Sequence, residues 1–225
     1  GANIIFKDAD SEAVERGALR CFRNSGQSCN APTRMLVEKS IYDETIERVK
    51  NFANSMKIDV ATKEGDHIGP VVSKTQFDKI QKLIQAGIDE GARLVAGGIG
   101  KPDGLDKGYF VKPTAFADVN NKMQIARTEI FGPVLSIIPF ETEEEVLNMA
   151  NSTKYGLSAS VWSQDISRCQ RMADQLEVGV IWINAWMMRD LRTPFGGMKD
   201  SGLGREGGWE SLRFFTDIKN VLICS

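Results

Sequence analysis

PVLSIIPFETEEEVLNMANSTKYGLSASVWSQDISRCQRMADQLEVGVIWIN, residues 133–184, decides the fold. Its short apolar runs at 133–140, 157–163 and 179–184 read as buried strands. Between them, 142–152 and 165–178 have the length and spacing of helices. Thr142 is a cap for the first, and three glutamates follow it, where negative charge complements the positive end of the helix. Strand, helix, strand, helix, strand in this rhythm predicts a parallel sheet with crossover helices.

The same alternation extends outward. ANIIF (2–6) and RMLVEK (34–39) read as strands. Residues 11–26 read as a helix capped by Ser11, with Val14, Ala18, Cys21 and Phe22 at helical spacing. Helices are also predicted over 42–56 and over 73–91, the latter ended by Gly91. ARLVAGG (92–98) is a strand and turn, and YFVKPTAFADV (109–119) is extended, with Pro113 limiting it to an edge or a bend. A short helix, GWESLRFF, and an exposed last strand, 218–224, complete the chain. The fold class is therefore α/β: an open, largely parallel twisted sheet with helices on both faces. Trp162 and Trp182 fall in strands and belong to the core, and Cys21 sits on an apolar helix face. In such sheets ligands sit at the carboxyl ends of the strands. The loops 24–33, 127–133, 184–197 and 197–208 are expected to converge there.

Bulk properties narrow the function. The 225 residues carry a net charge of −2, with 42% hydrophobic and 26% charged residues. That balance offers no electrostatic attraction to nucleic acid or to an anionic membrane. No apolar run approaches the ~18 residues of a membrane span. Four cysteines form no CxxC pair and there is one histidine, His67, so a zinc site of the usual spacing is excluded and no metal is expected. Reduced thiols and a cytoplasmic setting are expected. The chain opens inside a strand without an initiator Met, which suggests that residues precede Gly1.

Three loops carry chemistry. NSGQSCNAPTR (24–34) sets Cys29 among small polar residues. Either the thiol packs as a small hydrophobe, or it is a nucleophile, which needs exposure and donors aimed at an oxyanion. TEIFGPV (128–134) offers the Glu129 carboxylate to sugar hydroxyls and the Phe131 ring to a planar heterocycle, or it is a Gly-Pro turn with Phe131 inside. RDLRTPFGGMKDSGLGREGG (189–208) holds Arg189, Arg192, Lys199, Arg205 and six glycines, a tightly folded loop. Its arginines suit bidentate capture of a carboxylate, or are surface charge. Met187 and Met188 line a pocket or fill space.

NSGQSC (24–29), YFVKPT (109–114), EIFGPV (129–134) and PFGGMKDSGLGREGG (194–208), taken together, resemble the NAD(P)-dependent aldehyde dehydrogenase superfamily in its C-terminal half. The likeness covers nearly the whole chain. It implies a catalytic domain at 1–208, a helix and oligomerisation strand at 209–225, and a cofactor-binding domain outside this chain. It implies that Cys29 attacks the aldehyde carbon, that hydride passes to NAD or NADP, and that the resulting thioester is hydrolysed. It implies that Glu129 and Phe131 contact the nicotinamide ribose and ring. The general base, a glutamate of an E-L-GG-K segment, and most of the cofactor site would precede Gly1, so the isolated chain should not oxidise aldehydes.

NAWMMRDLRTPFGG (184–197) further resembles enzymes acting on muconic semialdehydes, where an arginine holds a substrate carboxylate. Arg192 would be that residue, with Arg189 as second candidate and Trp186 and Phe195 beside the substrate. Strand 218–224 would join copies into a homodimer or homotetramer. Two rivals stay open: an assembly domain with a vestigial site, and a cysteine-dependent ester or thioester hydrolase.

Overall fold

A computed structural model describes residues 1–224. Seven strands form one sheet in the order β3-β4-β5-β2-β1-β7-β8. They are β1 (Ala2–Ile5), β2 (Arg34–Glu38), β3 (Arg93–Ala96), β4 (Thr114–Ala117), β5 (Val134–Phe140), β7 (Ser158–Trp162) and β8 (Val180–Ile183). All neighbours pair in parallel except β3, which runs antiparallel to β4 at one edge. Pro113 lies just before β4, and Thr114 N–H donates to Pro133 O, so the strand begins where a proline no longer interrupts the ladder.

Strand alternation divides the core in two. In β1, Ile5 faces helices α1 (Ala13–Phe22) and α2 (Tyr42–Ser55), whereas Ile4 faces α3 (Lys74–Asp89), α5 (Glu143–Asn151) and α6 (Ile166–Gln175). In β2, Met35 and Val37 join the first layer and Leu36 the second. Period-2 burial on both faces is what a sheet covered twice requires. Trp162 is 2% exposed and Trp182 6%, both core as expected, and Cys21 is fully enclosed under α1. Thr142 accepts from Glu145 N–H and caps α5 as expected; Asp165 does the same for α6 through Arg168 N–H.

Several expectations are corrected. Ser11 does not cap the first helix, which starts after Glu12; Asp10 Oδ1 instead accepts from Glu12 N–H, and the carbonyl of Ser11 is taken by Arg48. Residues 23–26 leave the α-helix for a 3₁₀ turn containing left-handed Asn24 and Ser25. A two-stranded sheet joins β6 (Tyr155–Gly156) to β9 (Met198–Lys199), unannounced by any periodicity because each strand is two residues long. Helix α4 (Gln124–Arg127) is one turn, and α7 (Gly208–Phe215) buries no residue. The expected strand at 218–224 is not formed: 216–224 is irregular and Ile218, Val221, Leu222 and Ile223 project into solvent, since within one chain no sheet edge lies alongside them.

Candidate active site

The carboxyl ends of β1 and β7, where a ligand crevice was expected, are closed by ion pairs. Arg168 bridges Asp8 at 3.0 Å and Glu143 at 3.2 Å and lies 4.5 Å over the Phe6 ring. Asn184 then ties Ser163 to the end of β8 through both its amide atoms. The open cleft is at the opposite edge. About 260 Å³ in volume, it lies where β1, β2 and β7 begin, and Gly1, Arg34 and Ser158 line it together with Cys29 and Glu129.

Cys29 is exposed, whereas Cys21 and Cys169 are buried, and burial pushes the Cys21 thiol up to about 12 and the Cys169 thiol in the same direction. Cys29 sits in a turn closed by Ala31 N–H to Ser28 O at 3.1 Å, and Ser28 Oγ donates across it to Asn30 Oδ1 at 2.7 Å. Its own backbone N–H donates to no backbone carbonyl among the described residues, so that donor is free. The stretch before it is clamped: Ser25 Oγ donates to Gly69 O, and Gln27 Oε1 accepts from Val72 N–H at 2.8 Å.

The Glu129 loop is held from α3. Lys79 donates to the Glu129 carbonyl at 2.8 Å, and Gln76 Nε2 donates to both Ile130 O and Phe131 O at 2.9 Å. Phe131 is half-buried with a left-handed φ of 56°, and these bonds fix it there. The Glu129 carboxylate forms no ion pair among the described residues and stands in the cleft as an acceptor. Arg34, at the head of β2, is a wall residue that sequence patterning missed. Its guanidinium donates to Asn121 Oδ1, Met149 O and Ala150 O at 3.0–3.1 Å, and burial lowers it to about 10. A charge at the first position of an otherwise apolar run was the available signal. Asp200 and Ser201, just after β9, complete one side.

Phe131 lies outside the cleft lining, as do the remaining candidates, which sit on the loop after β8. Trp186 lies against Trp182, ring centroids 5.8 Å apart, with Arg20 5.0 Å above it. Arg189 covers the Phe195 ring at 4.5 Å and pairs with Glu206. The side chain of Arg192 is 89% exposed and pairs with Asp190. Phe195 and Glu206 exchange backbone bonds of 2.7 Å, which closes the glycine-rich loop. His67 is elsewhere, with Nε2 3.1 Å from Val60 O. Among the described residues no group of His, Cys, Asp and Glu gathers as a metal set, and no helix is long and apolar enough to cross a membrane.

The domain is a largely parallel α/β fold in which an accessible thiol and a free carboxylate line one cleft. The chain matches the aldehyde dehydrogenase family over residues 1–221 and belongs to it. It is 42% identical over 226 residues to 2-hydroxymuconic semialdehyde dehydrogenase of Pseudomonas sp. (strain CF600), covering 99% of this chain and 46% of that protein. It is 45% identical over 222 residues to 3-succinoylsemialdehyde-pyridine dehydrogenase of a Pseudomonas species, covering 98% of this chain and 46% of the relative. The crystal structure of an aldehyde dehydrogenase from Bartonella henselae superposes with a TM-score of 0.94 at 54% identity, covering 96% of this chain and 45% of that one. A Mycobacterium tuberculosis aldehyde dehydrogenase in complex with NAD+ gives 0.93 at 43%, covering 99% and 46%. The chain thus spans slightly less than half the length of these relatives.

Proposed function

We propose that this chain is the catalytic part of an aldehyde dehydrogenase that oxidises an aldehyde to the acid. One observation carries the reading: exposed Cys29 and unpaired Glu129 share a cleft, on loops locked to each other. The Cys29 sulfur attacks the aldehyde carbon, and the free N–H of Cys29 donates to the oxygen as it gains charge. A nicotinamide cofactor, NAD or NADP, supplies the hydride acceptor when bound. The residues here fit its nicotinamide end: Glu129 is an uncommitted acceptor for ribose hydroxyls, and Phe131 lies two residues on. Loss of hydride leaves a thioester on Cys29, which water cleaves to the acid and the free thiol. His67 stands away from the cleft, and the family resemblance puts the base for that water, a glutamate, in the remainder of a longer protein. The same holds for the adenosine and phosphate contacts.

The substrate class is a carboxylate-bearing semialdehyde, supported by the relatives named for muconic and succinoyl semialdehydes. Arg192 is the residue for that carboxylate, with Arg189 as second. Both are engaged within their own loop, so the substrate carboxylate would displace Asp190 or Glu206. The exposed apolar tail 216–224 is the surface for self-association, and a cytoplasmic setting suits four free thiols.

The test is aldehyde-dependent NADH formation by the longer protein with and without Cys29→Ala, and with Arg192→Ala. Cys29→Ala should abolish turnover. Arg192→Ala should raise KM at least tenfold for a semialdehyde acid, the loss of a charged hydrogen bond of about 1.5–3 kcal/mol, and leave a plain aliphatic aldehyde nearly unchanged. Undiminished turnover without the thiol overturns the mechanism, and equal effects on both aldehydes overturn the substrate class.

A further inference from the structure

The chain approaches Cys29 through a strained turn. Asn24 and Ser25 both have a left-handed φ of 54°, a conformation that non-glycine residues keep only where their surroundings hold it. Gln27 supplies much of that hold. Its backbone N–H and its side-chain Nε2 both donate to Asn24 O at 3.1 Å, and Asn24 Nδ2 returns a bond to Gln27 O at 3.0 Å. The other end of the same amide reaches a second segment: Gln27 Oε1 accepts from Val72 N–H at 2.8 Å. That segment is itself fixed, since Val71 is buried and its N–H donates to Tyr109 O at 2.9 Å. Past Gln27 the backbone tethers stop. Among the described residues neither Ser28 N–H nor Cys29 N–H donates to a backbone carbonyl, and the turn around Cys29 is closed within itself by Ala31 N–H to Ser28 O and by Ser28 Oγ to Asn30 Oδ1. Gln27 is thus the last residue before the thiol that is bonded to another segment.

We propose that Gln27 is a positioning residue for Cys29: its amide, spanning from the left-handed turn to the 69–72 segment, fixes the direction in which Ser28 and Cys29 leave that turn and so aims the Cys29 N–H. This rests on Cys29 being the nucleophile. Gln27 does not touch the reacting atoms, since it lies outside the cleft lining. It acts through the backbone N–H that receives the oxyanion, and such a donor helps only when it points to where charge develops. A side-chain amide suits the task because one end donates while the other accepts.

The experiment takes two readouts on Gln27→Met, which keeps length and bulk but lacks the amide. On this chain, backbone NMR relaxation gives the amide order parameter at Cys29. It should drop from the rigid range of about 0.85 to below about 0.6, while values in β1 hold. On the longer protein, kcat for an aldehyde should fall about tenfold or more with KM changed less than about twofold, because a misaimed donor weakens the transition state and not the bound aldehyde. Thr142→Ala, which removes the cap of α5 away from the cleft, controls for stability alone and should leave both readouts at the parent's values. Cys21 and Cys169 should resist iodoacetamide in every variant, which certifies the fold. If Gln27→Met exposes them, Gln27→Asn, too short to span both segments, decides in its place. An unchanged order parameter at Cys29, a loosened Cys29 with unchanged kcat, or a Thr142→Ala control that loses kcat equally overturns the proposal. Failure of the nucleophile reading looks different: Cys29→Ala would retain turnover, while the order parameter would still report on Gln27.

Discussion

Gly26 and Gly132 approach so closely that a Cβ on Gly26 would stand 2.1 Å from the Gly132 carbonyl oxygen. Gly26 also has a φ of 70°, which side chains avoid. This contact locks the loop of Cys29 to the loop of Glu129, two segments 100 residues apart in the chain, and so defines the site's geometry.

Replacing Gly26 by alanine should therefore destabilise by about 2–4 kcal/mol, from left-handed strain plus overpacking against backbone that cannot yield. Chemical denaturation reads the stability. Cleavage of the loop by a protease at low concentration should also accelerate, since the two loops must part to admit the Cβ. An unchanged denaturation midpoint would show that the loops separate freely.

Gln76 is the second lock. Its amide nitrogen serves two carbonyls on the Glu129 loop, and Gln76→Ala leaves both without that donor. The expected loss is about 1–3 kcal/mol, read by denaturation. Gln76→Glu should be at least as costly, because a carboxylate facing two carbonyl oxygens replaces a donor by an acceptor. A neutral Gln76→Glu would refute the account.

Arg34 holds the last carbonyls of α5 against β2. Arg34→Met keeps the stem but strands Met149 O and Ala150 O, and should cost about 1–3 kcal/mol each way the acceptors stay dry. Amide exchange at 148–152 should quicken more than exchange in β5. Uniform exchange across both segments would mean that Arg34 supports the whole sheet rather than the end of α5.

The largely parallel sheet and both helix layers were within reach of the sequence because burial on two faces is a local signal, whereas the strand order was not: β5 and β7, consecutive runs in the sequence, are separated in the sheet by β2 and β1. β1, β5 and α5 fall within a residue or so of where their apolar runs and the Thr142 cap place them. The cleft's position was not legible. The general rule for open parallel sheets points to the carboxyl ends, but there Arg168 fills the crevice by pairing with Glu143, 25 residues away, and with Asp8, 160 residues away in sequence, contacts that no periodicity encodes. Arg34 was hidden for a similar reason: its partners lie on α5 and beside α4. The tail 218–224 has strand-like composition, but a strand exists only where an edge pairs with it.

The same ion cluster makes stability fall in acid. Hydrogen bonds from Arg171, then its charge and Arg168, hold the Glu143 carboxyl below its ordinary range, against the opposing effect of burial. A carboxyl whose folded value is depressed stabilises the fold above its unfolded value near 4.3 and loses that contribution as pH falls through the folded value. Denaturation midpoints between pH 3 and 7 should therefore drop on the acid side, and Glu143→Gln should be less stable at pH 7 with a shallower acid limb. Parallel limbs would assign the acid sensitivity to other carboxyls.

Cys21 predicts the alkaline limb. Its sulfur is enclosed under α1, 3.5 Å from Val134 O, and burial pushes the thiol up to about 12. In the unfolded chain a thiol ionises near 8.5. The folded value is raised, so the contribution is whole below pH 8.5 and is lost as pH climbs toward 12. From this one thiol, stability should decline by up to about 1.4 kcal/mol per pH unit over that interval. Cys21→Ala removes the ionisable group: the variant begins less stable because a buried atom is gone, yet its stability should fall less steeply from pH 8.5 to 10.5. The difference between the two slopes, taken from urea denaturation with Cys29 and Cys224 replaced by serine in both proteins, isolates the buried thiol. Identical slopes would mean that the unfolded chain keeps Cys21 as hidden as the native one does.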